Sequence, residues 1–166
     1  MNNLYRLPLA VQELLKEVRK KDQRLVLVTG AFDVLHQEHV NFLKKAKLAG
    51  DVLLVGLETD ERVQKLKGDG RPINRQLERV TNLEQVDLAD LVFVLPNKFE
   101  TDEEHEALIK QLKPAVLAVS SQTPFIEAKQ LIMAKVGGEA VVVHQHNPTI
   151  STTQIIDDNN FEQETR

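Results

Sequence analysis

At 166 residues, 42% hydrophobic and 28% charged, the chain has the length of one domain with a buried core. A net charge of −4 argues against a broad nucleic-acid surface, and the absence of cysteine excludes disulfides, thiolate catalysis and cysteine-based zinc sites. No apolar run reaches membrane-spanning length, and MNNLYRLPLAVQELL lacks the basic and apolar regions of a signal peptide, so no membrane contact and a cytoplasmic location are expected.

Pro8 suits the first turn of a helix. Val11, Leu14, Leu15 and Val18 then recur at helical spacing, and Arg19-Lys20-Lys21 fall where cations favour the helix dipole. A strand from Leu25 to Val28 closes on Thr29-Gly30. Ala31-Phe32-Asp33-Val34-Leu35 makes a tight connection, and His36 and His39 open the next helix. Phe42, Leu43 and Ala46 give that helix its apolar face, and Gly50 is placed to stop it.

VLLVGL, residues 52–57, is a continuous apolar run of the kind found in strands buried on both faces. Thr59 or Asp60 caps a short helix. Residues 65–74, KLKGDGRPIN, read as a cation-bearing loop. A helix over about 75–86 is followed by the strand LVFVL from Leu91. Thr101-Asp102-Glu103-Glu104 starts a capped helix that runs to about Leu112.

Pro114 precedes the strand AVLAVS, and Phe125, Ala128 and Ile132 mark a helix that Gly137-Gly138 breaks. EAVVVH is a fifth strand. After the loop HQHNPTI, Ser151-Thr152-Thr153 starts a last helix. Residues 1–157 therefore read as one domain with a leading helix in its first 22 residues, and 158–166 as a polar tail.

Strands alternating with helices call for a parallel sheet covered on both faces, with ligands beyond the strand C-terminal ends at the switch point. The His36–His39 stretch, Glu58–Asp60, Ser120–Gln122 and the HQHNPTISTT segment all belong at such ends. Two histidines three apart share a helix face beside backbone N–H groups that no helical turn satisfies, at the positive end of the dipole. That is an anion site suited to phosphate.

The glycine pattern is neither a Walker A loop nor a dinucleotide fingerprint, and H-E-x-x-H is not matched. The spacing does match G-x-F-D-x-x-H-x-x-H, on Gly30, Phe32, Asp33, His36 and His39. In this the chain resembles the cytidylyltransferase-like family of nucleotidyltransferases, whose signature is H-x-G-H after a G-x-F-D turn. The likeness is closest to heptose-phosphate adenylyltransferase domains, with glycerol-3-phosphate cytidylyltransferases next. It spans nearly the whole chain: the leading helix, the GAFDVLH turn, Lys67-Gly68-x-x-Arg71-Pro72, Arg79, and Ser151-Thr152-Thr153 before Ile155.

The resemblance implies a Rossmann-like α/β domain of the HIGH type, a five-stranded parallel sheet with helices on both faces. It implies in-line transfer of AMP, or alternatively CMP, from a nucleoside triphosphate to a sugar or polyol phosphate, with pyrophosphate leaving and Mg²⁺ accompanying the nucleotide. His36, His39 and Lys67 would be catalytic, stabilising the charge that builds up on the phosphates. Gly30, Ala31, Phe32, Asp33, Arg71, Arg79, Ser151, Thr152 and Thr153 would bind or brace the nucleotide. A homodimer through the sheet-edge helices is also implied.

The departures from the family pattern define an alternative. Glu38 replaces the glycine between the histidines, adding bulk and a charge expected to repel a triphosphate by several kcal/mol in rough Coulomb terms. Ser120-Ser121-Gln122 replaces a Gly-Gly-Asp or Gly-Asp-Asp sequence, and only Arg79 remains of an E-x-R motif. A catalytically impaired homologue that binds a nucleotide, a phosphometabolite or a protein is the corresponding reading. His144 and His146 read as loop residues near the site.

Overall fold

Along the chain, α1 (Leu9–Lys20), β1 (Leu25–Gly30), α2 (Gln37–Lys47), β2 (Val52–Leu57), α3 (Asp60–Lys67) and α4 (Gln76–Val86) come first. They are followed by β3 (Leu91–Val94), α5 (Asp102–Leu112), β4 (Val116–Ser120), α6 (Ile126–Ala134) and β5 (Glu139–His144). The computed structural model describes residues 5–147 and 149. Its sheet is wholly parallel, in the order β3-β2-β1-β4-β5. This is the Rossmann-like arrangement expected from the sequence, with its switch point between β1 and β4.

Successive side chains in a strand face opposite sides, and the two cores divide accordingly. Leu25 and Leu27 of β1, Leu54 of β2 and Leu117 and Val119 of β4 pack with α1, α5 and α6. Val26 and Val28, Leu53 and Val55, and Val116 and Ala118 pack on the other side with Leu43 and Ala46 of α2 and Leu83 of α4. The unbroken apolar strands are thus a consequence of burial on both faces. No helix among the described residues is long and apolar enough to cross a membrane.

Strand pairing opens the functional end of the sheet. β1 is in register with β2 over six residue pairs, Leu25↔Val52 to Gly30↔Leu57. With β4 it pairs only at Val26↔Val116 and Leu27↔Leu117, so the two strands part before their C-terminal ends. Between β4 and β5 the register shifts at Val119/Ser120, which sets Ser120 opposite His144. A bulge of this kind re-aims the side chains beyond it.

Three local expectations change. Gly50 is not the stop signal of α2, which ends at Lys47 with Leu48 in right-handed helical geometry. Gly50 is required instead by close approach: a Cβ there would lie 2.6 Å from the Arg24 carbonyl oxygen. Phe125 is not within α6; it stands at the N-cap with φ 57° and is 78% exposed, while Ile132 and Met133 are buried. The cationic loop begins later than expected, because α3 continues to Lys67 and Gly68, at φ +93°, terminates it. The expected last helix and the polar tail lie outside the described residues.

Candidate functional site

A cleft of about 370 Å³ opens where β1 and β4 part. Its floor is Thr29, Gly30 and the ends of β4; its walls carry His36, Glu38 and His39 from the start of α2, Lys67 from α3, Lys129 from α6, and His144 and His146. The turn that delivers α2 is conformationally costly. Phe32 has φ 45°, a region that costs an L-residue roughly 1–2 kcal/mol. Its buried ring lies against Gly30, where a Cβ would meet Phe32 Cε2 at 2.9 Å, and edge-on to His39 at a centroid distance of 5.3 Å. Gly30 is therefore needed for the ring that holds this turn.

His36 is the N-cap of α2 and His39 the third helical residue, and their rings stack at 3.8 Å between centroids, 17° from parallel. The His36 amide donates to His39 Nδ1 at 3.4 Å. Burial lowers the His39 pKa to about 3, aided by His36, Lys67 and His146 and opposed by a hydrogen bond to the Val34 backbone. His36 is lowered as well, mainly by burial, with Glu38 opposing. Both rings are neutral near pH 7, and His36 Nδ1 is buried without a hydrogen-bond partner among the described residues. An unsatisfied buried nitrogen beside orphan helix N–H groups invites a polar ligand.

Asp33, 1% exposed, braces a different segment from its own turn. It accepts hydrogen bonds from the Ile73 and Asn74 amides at 2.9 Å each and from Arg71 Nε at 2.8 Å. Burial acts to raise its pKa, but these donors outweigh it and hold the carboxyl below its usual range. Arg71 keeps Nη2 buried and unpartnered among the described residues. Arg79 does not line the cleft. It is fully buried and ties the site together from behind: Nη1 donates to the Ala31 and Glu58 carbonyls, Nε to Asn74 and Nη2 to Asp60, all within 3.0 Å.

Lys67 and Lys129 bring cationic side chains to the cleft from different layers of the fold. Burial is the main cause lowering both pKa values, with Arg71 adding to it at Lys67. Glu38, 9% exposed, has its carboxylate occupied. Oε2 accepts from His144 Nε2 at 2.9 Å and from the Asn147 amide at 3.2 Å. The His144 contact is the main cause holding its pKa below the usual range.

Of the residues singled out in the sequence, the cleft gathers Gly30, Ala31, Phe32, Asp33, His36, His39 and Lys67. Arg71 and Arg79 stand behind it as supports, and Ser151, Thr152 and Thr153 lie outside the described residues. Sequence reasoning passed over Lys129 and understated His144, which is the buried end of β5 rather than a loop residue. A polar residue ending an apolar strand run, at the strand end where ligands bind, was the available signal for His144. Nothing in the local pattern marked Lys129, whose position depends on how α6 packs.

A protein-family model described as cytidylyltransferase-like matches residues 27–158. The bifunctional protein HldE of a Nitratiruptor species is 43% identical over 107 residues, 64% of this chain and 22% of that protein. The bifunctional protein HldE of Desulfatibacillum aliphaticivorans is 35% identical over 152 residues, 89% of this chain and 30% of that protein. The chain thus spans less than a third of the length of these relatives.

Solved structures share the fold, among them the following two. The lipopolysaccharide core biosynthesis protein from Thermoplasma volcanium has a TM-score of 0.58 at 23% identity, covering 75% of this chain and 97% of that one. Pantothenate synthetase from Thermus thermophilus has a TM-score of 0.55 at 15% identity, covering 85% and 65%. With its histidine pair at the switch point of a five-stranded parallel sheet and the family match running from β1 past β5, the chain belongs to the cytidylyltransferase-like nucleotidyltransferase family.

Proposed function

We propose that the cleft transfers a nucleotidyl group, AMP in preference to CMP, from a nucleoside triphosphate to the phosphate of a sugar or polyol. An oxygen of the acceptor phosphate forms a bond to the α-phosphorus, the bond to the bridging oxygen breaks, and pyrophosphate leaves in line. One observation carries the reading: two stacked, neutral imidazoles at the N-terminus of α2, at the sheet switch point. Such transfers need positioning and charge stabilisation more than covalent help.

In this reading His36 and His39 donate to phosphate oxygens and gain charge as the anion enters. Lys67 and Lys129 neutralise phosphates from either side, and Arg71, held at Nε by Asp33, adds positive charge from behind the cleft. Asp33 and Arg79 hold the turn and the 71–74 segment in place. Ser151, Thr152 and Thr153 would supply further donors. No group of three or more His, Asp or Glu side chains able to hold a metal exists among the described residues. Mg²⁺ would arrive with the nucleotide, on its phosphate oxygens. The preference for AMP rests on Lys67-Gly68-x-x-Arg71-Pro72, which follows the heptose-phosphate type.

A second reading, nucleotide binding without turnover, is favoured by one observation: Ser120 and Gln122 line the cleft where the family pattern has glycine and a carboxylate. Pyrophosphate release with Mg²⁺, each nucleoside triphosphate and a panel of sugar and polyol phosphates separates the two. Turnover with ATP and one phosphorylated acceptor is expected. Thermal stabilisation by ATP with no turnover on any acceptor would instead establish the binding-only reading.

A further inference from the structure

The sequence makes Glu38 a negative charge and a bulky side chain placed between two phosphate-binding histidines. Its surroundings give it another role. Glu38 Oε2 accepts from His144 Nε2 at 2.9 Å and from the Asn147 amide at 3.2 Å, and Asn41 Nδ2 donates to Oε1 at 3.4 Å. Lys45, two helical turns further along α2, donates from Nζ to His144 Nδ1 at 3.1 Å. An ammonium only donates, so Nδ1 is an acceptor and the ring proton sits on Nε2, facing Glu38. Lys45, His144 and Glu38 form a chain with no net charge, and the carboxylate's charge is balanced within it.

The chain spans two elements far apart in sequence. Glu38 and Lys45 belong to α2, whereas His144 ends β5 and Asn147 follows it. The same segment is fastened to the end of β4: Ser121 N–H donates to the His144 carbonyl at 2.9 Å, and the His146 amide donates to Ser121 Oγ at 2.9 Å. His146 lines the cleft beside the histidine pair. The backbone from His144 to Asn147 is therefore held from two sides, by Glu38 on α2 and by Ser121 after β4.

We infer that Glu38 is a positioning residue: with His144 it anchors the segment after β5 to the helix that carries the histidine pair, so that His146 meets the phosphates in one fixed arrangement. In this role the glutamate supplies a tie that glycine at the same place does not. The functional consequence rests on the proposed nucleotide-binding reading; the anchoring itself does not.

The test measures amide hydrogen exchange at His146 and Asn147 together with calorimetric affinity for MgATP, in the parent, Glu38→Gly, Glu38→Gln and His144→Phe. Losing a hydrogen-bonded anchor is expected to speed Asn147 exchange by about five- to tenfold in Glu38→Gly and His144→Phe. MgATP affinity falls by a similar factor in both, and Glu38→Gln, which keeps an acceptor oxygen, recovers most of the loss. A purely structural contribution would lower the melting temperature without moving affinity in the folded protein, and would overturn the proposal. Unchanged Asn147 exchange in Glu38→Gly, or tighter MgATP binding by that variant, would overturn it equally. A parent that binds no MgATP would defeat the nucleotide-binding reading, while Asn147 exchange would still decide for or against the anchor.

Discussion

The stacked imidazoles of His36 and His39 are held neutral by burial and by the cations around them. A triphosphate reverses that balance, since a negative charge at hydrogen-bond distance favours the imidazolium. MgATP binding near pH 6 is therefore expected to take up protons, which calorimetry in buffers of different ionisation enthalpy detects; proton release would contradict the placement of the phosphates. The unliganded protein shows the opposite linkage. His39 titrates near 3 when folded against an ordinary 6.5, so the unfolded chain binds the extra proton between these values. The stability it contributes is complete above about 6.5 and is lost as pH falls toward 3. His39→Asn is expected to flatten the decline of melting temperature between pH 7 and pH 4; an unaltered slope would contradict a buried neutral ring.

At the scale of elements, the site depends on supports that never touch the cleft. Arg79 of α4 satisfies the carbonyls of Ala31, Glu58 and Asn74, and so connects the β1–α2 turn, the end of β2 and the start of its own helix. Arg79→Met leaves those acceptors buried and unpaired, and is expected to cost about 3 kcal/mol in denaturant unfolding. A loss near zero would mean that these elements are held by apolar packing alone. Gly50→Ala forces a methyl against the Arg24 carbonyl and is expected to destabilise by about 1–3 kcal/mol.

The strands were legible because burial on both faces leaves continuous apolar runs, and VLLVGL became β2 residue for residue. Thr59 and Thr101 were legible as caps because a side-chain oxygen accepting from the third helical amide is a local event. The tie between Glu38 and His144 was not legible. It joins residues 106 apart and exists only because β5 lies beside β4 with a shifted register. For Arg79 the resemblance conveyed that an arginine belongs at that position, but the side to which it points follows from packing.

Over the whole molecule, an acidic chain brings two lysines and a neutral histidine pair to one end of its sheet: Lys67, Lys129, His36 and His39 line a cleft where the carboxylates of Asp33 and Glu38 are engaged by other groups. That distribution suits a phosphorylated donor and a phosphorylated acceptor meeting at the switch point. In the proposed transfer, His36 is the residue whose loss should be felt most in the chemical step. The most direct test is pyrophosphate release in the presence of Mg²⁺, ATP and sugar phosphates, with parent and His36→Ala compared side by side. The parent is expected to turn over, and His36→Ala to be slower by about 10²–10³-fold, the usual cost of removing one transition-state donor. Parental turnover that survives His36→Ala undiminished would contradict the account.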